Sequence, residues 1–162
     1  MLIAHYIGSA KPGILAKIGW HLIVLGQKPP YDLATHTEAI HAVNLDGTVT
    51  IASSSLHDKG VRVKKNVRLT KGNWCITDVP VFELQKSIDW FAEAVKVGMP
   101  YDKLGALATM LPGKQSSDKV FCTEAVLAPF IKDSHYFTPA EGMAICLGLG
   151  RDVTDEFFLG VE

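Results

Sequence analysis

Long apolar runs, paired cysteine motifs and an excess of either charge sign are all missing from this chain, and each absence removes a class of function. Sixteen Lys and Arg stand against seventeen Asp and Glu, a formal net charge of −1. A nucleic-acid binder ordinarily carries a clear basic excess, so no nucleic-acid partner is expected. The one local basic stretch, Arg62, Lys64, Lys65, Arg68 and Lys71, reads as the solvated face of a hairpin. The three cysteines, Cys75, Cys122 and Cys146, show no CxxC spacing. That excludes a disulfide framework and a structural zinc site, and it fits a reducing compartment, so a cytoplasmic location is expected. The most apolar stretch, Gly13 to Gly26, is 14 residues long and contains Lys17 and His21. A spanning helix needs about 20 apolar residues, so this reads as a buried helix and no transmembrane segment is expected. The N-terminus lacks the charged region and cleavage site of a signal peptide.

What remains is ordinary globular material, 48% apolar and 20% charged. It is long enough for one domain over residues 1–162 with its own core. A short apolar segment comes first, then the helix ending near Leu25 before Gly26 and Pro29-Pro30. Residues 35–43 and 48–53 are strand candidates joined by Asn44-Leu45-Asp46-Gly47, whose Asp-Gly is a hairpin turn signal. Val61-Arg62-Val63-Lys64 alternates as a half-buried strand does, and Trp74 to Val79 is a further strand stopped by Pro80. Leu84, Ile88, Phe91 and Val95 mark one face of a helix over 82–97, closed by Gly98 and Pro100. Asp102 can cap a short helix to Met110, and residues 111–118 read as a loop. Thr138-Pro139-Ala140-Glu141 is a capping box with proline at the first helical position. The tail after Gly150 reads as irregular. Hairpin-linked strands between helices predict an α+β domain with a mainly antiparallel sheet packed against helices.

Cys122 stands where the apolar run Val120-Phe121 turns into the first turn of a helix. Unpaired backbone N–H groups and the positive end of the helix dipole favour thiolate there, and thiolate is the nucleophile. Cys75 and Cys146 sit in apolar stretches and read as core. The base candidate is His36 in Thr35-His36-Thr37-Glu38. On a strand, His36, Glu38 and Ile40 share one face, with neighbours on that face roughly 6.5 to 7 Å apart. Glu38 is therefore the first choice to orient the imidazole, with Ser53 and Ser54 in reserve. A metal site in HTEAIH fails, because the zinc-protease helix requires HExxH and a strand sends His36 and His41 to opposite faces. No cofactor is expected. Glu124, in the first turn of the cysteine helix, reads as serving the helix dipole.

Three segments in order, the His36-x-Glu38 strand, Gly98-Met99-Pro100-Tyr101-Asp102-Lys103-Leu104-Gly105 and Phe121-Cys122-Thr123-Glu124, carry a resemblance. Over roughly residues 30–145 the chain resembles the circularly permuted papain-like hydrolases of the NlpC superfamily, in the branch related to lecithin retinol acyltransferase. The resemblance implies a papain-like, circularly permuted fold in which Cys122 attacks an acyl carbon and His36 is the base. It also implies an oxyanion hole involving the Cys122 backbone N–H. The family's third polar residue usually comes from the following strand. No His, Asn or Gln stands in Thr48 to Ser53, so either Glu38 or a serine takes that role. The expected substrate is a peptide, with a cell-wall peptide as first choice, or an acylated small molecule or lipid. Tyr31, Tyr101, Ser53 and Ser54 are the candidate substrate-binding residues.

Overall fold

The computed structural model describes residues 1–8, 34–108 and 118–160. Tyr31 and the expected helix of residues 13–25 lie outside them. Among the described residues the fold is α+β. Six strands, β1 (Leu2–Tyr6), β2 (His36–Val43), β3 (Val49–Ser55), β4 (Gly60–Val67), β5 (Trp74–Asp78) and β6 (Arg151–Asp152), form one sheet in the order β4-β3-β2-β1-β5-β6. Every pairing is antiparallel. Five helices complete it: α1 (Leu84–Lys96), α2 (Lys103–Ala108), α3 (Cys122–Leu127), α4 (Pro139–Leu149) and α5 (Thr154–Leu159). None is long and apolar enough to cross a membrane.

The β2–β3 turn forms as Asp-Gly chemistry demands. Asp46 accepts hydrogen bonds from the Thr48 N–H at 3.0 Å and the Thr48 hydroxyl at 2.7 Å, and Gly47 takes φ 75°. Two apolar layers hold the sheet. Ile3, Ala39 and Ala52, cross-strand neighbours on one face, pack with Phe91, Ala125, Val126, Leu127 and Cys146. Ala4, Ile40, Ile51 and Ile76 pack on the other face with Val153 and Phe158. The alanines at the first face leave room for α3 to lie close against β2 and β3. Phe91 of α1 is fully buried there, and truncating such a side chain typically costs about 3–5 kcal/mol.

Two parts of the fold differ from expectation. Leu2–Tyr6, legible only as a short apolar segment, is a strand in the interior of the sheet, paired on both sides. Ile3, Ala4 and His5 are all buried, so the strand shows no polar alternation to betray it. The tail after Gly150 is ordered rather than irregular. Asp152 accepts from the Thr154 N–H at 2.8 Å, and the Thr154 hydroxyl accepts from the Ile76 N–H at 2.9 Å. These short polar links turn the chain from β6 into α5 and pin it to β5.

From Gly98 to Asp102 the chain is threaded past the site region. Gly98, at φ 65°, closes α1, with its N–H on the Val95 carbonyl and the Met99 N–H on the Ala94 carbonyl. The next residues are clasped on both sides. The Met99 carbonyl accepts from Val61 at 2.9 Å and the Tyr101 N–H donates to the Lys59 carbonyl at 3.1 Å. Opposite, the Val120 N–H donates to the Pro100 carbonyl and the Asp102 N–H to the Val120 carbonyl. The expected cap is in place: Asp102 accepts from the Gly105 N–H at 2.8 Å. A side chain at Gly105 would meet that carboxylate, its Cβ only 2.5 Å from the oxygen. The spacing Tyr-Asp-x-x-Gly thus has a local mechanical reason.

Candidate active site

Phe121 enters α3 in extended conformation and is almost wholly buried, which fixes the first turn against the sheet. Cys122 follows, 5% exposed, with its sulfur 3.9 Å from the Thr123 hydroxyl and close enough to the His36 imidazole and the Thr37 N–H for both to favour its anion. The Thr123 hydroxyl also meets that of Thr37 at 3.4 Å, tying α3 to β2 directly behind the thiol. The reach of 86 positions between nucleophile and base candidates is closed by this packing.

His36 opens β2, and its Nε2 meets Glu38 Oε1 at 2.8 Å. With Nε2 engaged, Nδ1 is the nitrogen left for the sulfur. Glu38 is in turn held by Arg62 of β4. Nη1 donates to Oε2 at 2.6 Å and Nη2 donates to Oε1. Arg62 Nε donates to Asp58 at 3.1 Å, and Lys64 also pairs with Asp58. Side-chain exposure falls from 28% at His36 to 14% at Arg62 and 3% at Glu38, so the carboxylate is the most enclosed of the three.

The electrostatics follow from these contacts. Burial alone would lower the His36 pKa; the facing Cys122 and the Glu38 carboxylate outweigh it and raise the imidazole to about 10. Burial alone would raise the Cys122 pKa, but the His36 imidazolium and the surrounding hydrogen bonds pull it below the ordinary thiol range. Glu38 is likewise held below the usual carboxylate range against its burial, by His36 first and then Arg62. The arrangement favours a thiolate–imidazolium pair steadied by a permanently ionised carboxylate.

The other cysteines behave differently. Cys146 is fully buried, and its thiol is pushed up to about 12 by burial. Burial also raises Cys75. All three cysteines are free.

The remaining sequence candidates fall in different places. Ser53 and Ser54 are fully buried, so neither offers a free hydroxyl to a substrate, contrary to expectation. The Ser53 hydroxyl donates to the Thr37 carbonyl at 2.6 Å and the Ser54 hydroxyl to the Val120 carbonyl at 2.7 Å. Both brace backbone next to the dyad, and His36 takes its partner from Glu38 instead. Tyr101 is half-buried beside the site, its phenol pushed above the usual range by burial, then by the charges of Cys122 and Asp102. Tyr31 lies outside the described residues. His41 points away to α1, with Nε2 2.9 Å from the Ser87 hydroxyl. Glu124 accepts from the Phe121 N–H at 3.3 Å, and burial pushes its carboxyl up to about 7.

Arg62 is the functional residue that the sequence concealed. It sits in an alternating basic strand and reads as solvated. Only the register, which sets Arg62 opposite Ser53 and leaves Glu38 one strand further on, shows that it reaches over a small side chain to a buried carboxylate.

No protein-family model, no curated protein and no solved structure matches this chain.

Proposed function

We propose that this chain is a cysteine hydrolase of papain-like, circularly permuted architecture that cleaves an amide or ester through an acyl-enzyme on Cys122. The observation that carries the reading is the His36–Glu38–Arg62 chain of hydrogen bonds, with the Cys122 thiol beside the imidazole at its open end. The Cys122 thiolate attacks the acyl carbon, and the carbonyl electron pair moves to oxygen. The Cys122 backbone N–H, in the first turn of α3 and so without an intrahelical acceptor, steadies that oxyanion. On collapse the C–N or C–O bond breaks and the His36 imidazolium gives its proton to the leaving amine or alcohol. Neutral His36 then takes a proton from water as its oxygen attacks the thioester carbonyl. Release of the acid restores the thiolate and the imidazolium. Glu38 keeps the ring in the orientation that both transfers require, and Arg62 keeps Glu38 ionised.

The test is a mass measurement. Incubated with an activated acyl ester such as 4-nitrophenyl acetate, the protein gains one acetyl mass on Cys122, and the adduct disappears on standing. Cys122→Ser gives no such adduct, and His36→Ala forms it on the order of 10² to 10⁴ times more slowly. Acetylation spread evenly over Cys75, Cys122 and Cys146 would instead favour a binding module with an inert thiol.

A further inference from the structure

A cavity of about 570 Å³ lies along residues 100–104, with Tyr101 in its wall. Three of its lining residues are lysines: Lys59 from the β3–β4 turn, Lys103 from the start of α2, and Lys119 from the run leading to Cys122. Three separate segments thus bring an ammonium group to one opening. None of the three makes an ion pair among the described residues. Asp102 also lines the cavity, 4% exposed and capping Gly105, and Asp58 is taken by Arg62 and Lys64. His57 lines the same opening, and Leu56 and Leu104 expose apolar surface at its rim.

Lys59 is held there at a cost. Its φ is 64°, a left-handed conformation that a residue with a Cβ rarely adopts. The turn is fixed by the Lys59 N–H on the Leu56 carbonyl and by its own carbonyl accepting from Tyr101. One residue of the wall, Tyr101, leads from the cavity toward Cys122. Tyr101 bridges to Val120, two residues before Cys122, and feels the Cys122 charge.

We propose that this cavity binds an anionic group of the acyl substrate, a carboxylate or a phosphate, on Lys59, Lys103 and Lys119 while the adjoining acyl carbon meets Cys122. The proposal rests on the hydrolase reading of Cys122 and narrows its substrate class. Three lysines against one enclosed carboxylate give the opening an excess of positive charge among the described residues, which raises the local concentration of anions and orients them. The exposed leucines give the apolar part of such a substrate a surface to lie on.

The test compares two alkylating reagents of nearly equal size, anionic iodoacetate and neutral iodoacetamide, with the alkylated cysteine identified by mass. Wild type should favour iodoacetate at Cys122, relative to a free thiol, and the triple variant K59Q/K103Q/K119Q should lose roughly five- to tenfold of that preference. Replacement by arginine at the same positions should retain it. A second arm adds inorganic phosphate at constant ionic strength. Protection of Cys122 that vanishes in the glutamine variant assigns a phosphate, and a lysine-dependent iodoacetate preference alone assigns a carboxylate. A rapid Cys122 reaction with neither lysine effect overturns the anion site and leaves the dyad standing. Reaction of Cys122 no faster than Cys75 or Cys146 with both reagents overturns the hydrolase reading, and this proposal with it.

Discussion

Arg62 on β4 and Glu38 on β2 form a two-pronged ion pair across the strand that separates them. One oxygen of that same carboxylate also meets His36 Nε2. The pair is the hidden foundation of the site. Together with His36, the larger influence, Arg62 holds the buried carboxyl below the usual range and so keeps a negative charge beside the base.

Breaking one half of this pair strands the other. Arg62→Met should lower stability by about 2–4 kcal/mol, because the enclosed Glu38 would lose both guanidinium hydrogen bonds and face the His36 imidazolium alone. The double variant R62M/E38M should recover much of that loss in urea denaturation, since it removes both charges. If the double variant proves as unstable as the sum of the two single ones, the ion pair is not what holds this corner.

The dyad has a readable pH signature. Cys122 is pulled below the ordinary thiol range and His36 is raised to about 10, so the reactive pair persists across the neutral range until the imidazolium deprotonates. Iodoacetamide should therefore alkylate Cys122 readily at pH 6. In His36→Ala the thiol returns toward an ordinary or higher pKa, and the rate at pH 6 should fall about 30- to 100-fold. An unchanged pH profile in that variant would rule out the pair.

Glu124 works against stability as pH rises. Its folded pKa of about 7 lies above the ordinary value of 4.5, so the unfolded chain ionises first. Its contribution is whole below pH 4.5 and is lost progressively up to pH 7. Glu124→Gln should thus be more stable than wild type at pH 8, by about 1–3 kcal/mol, and no more stable at pH 4. Chemical denaturation at the two pH values measures this directly.

His5 has the opposite dependence. It is fully buried in β1, its Nε2 3.2 Å from the Thr77 hydroxyl and its Nδ1 without a hydrogen-bond partner among the described residues. Burial, only partly offset by Asp152, lowers its pKa to about 3. The unfolded chain takes up a proton below pH 6.5 while the folded one does not, so stability falls as pH drops from there toward 3. Between pH 7 and pH 5 this residue should account for about 2 kcal/mol of lost stability. His5→Met should flatten that limb, and a variant as acid-sensitive as wild type would show that the loss arises elsewhere.

Much of this architecture could be read before any coordinates. The Asp46-Gly47 turn and the Thr138–Glu141 cap each rest on local chemistry, and local chemistry is written in adjacent residues. His36, Glu38 and Cys122 were legible for the same reason, as a strand periodicity and a helix start. The 82–97 helix forms too, but Leu84 and Val95 of its expected core face are exposed, and Ser87, Phe91 and Ala94 are the residues it buries. The parts that escaped depend on partners distant in sequence. Leu2–Tyr6 becomes a strand only because β2 and β5 flank it, and five residues buried on both faces carry no alternation. Arg62 looks solvated until the sheet order places Glu38 within its reach. Ser53 and Ser54 looked available because nothing in their own segment reveals that the Thr37 and Val120 carbonyls claim their hydroxyls.

The order of the strands along the chain also bears on how the thiol becomes reactive. β2, β3 and β4 follow one another through short turns, so His36, Glu38 and Arg62 can assemble through contacts of low sequence separation. β1 must wait for β5, and Cys122 must close a far larger loop to reach the imidazole, which places that contact late in folding. On the proposed reading, a ribosome-bound or half-folded chain whose sheet is incomplete would leave Cys122 no more reactive than an ordinary thiol.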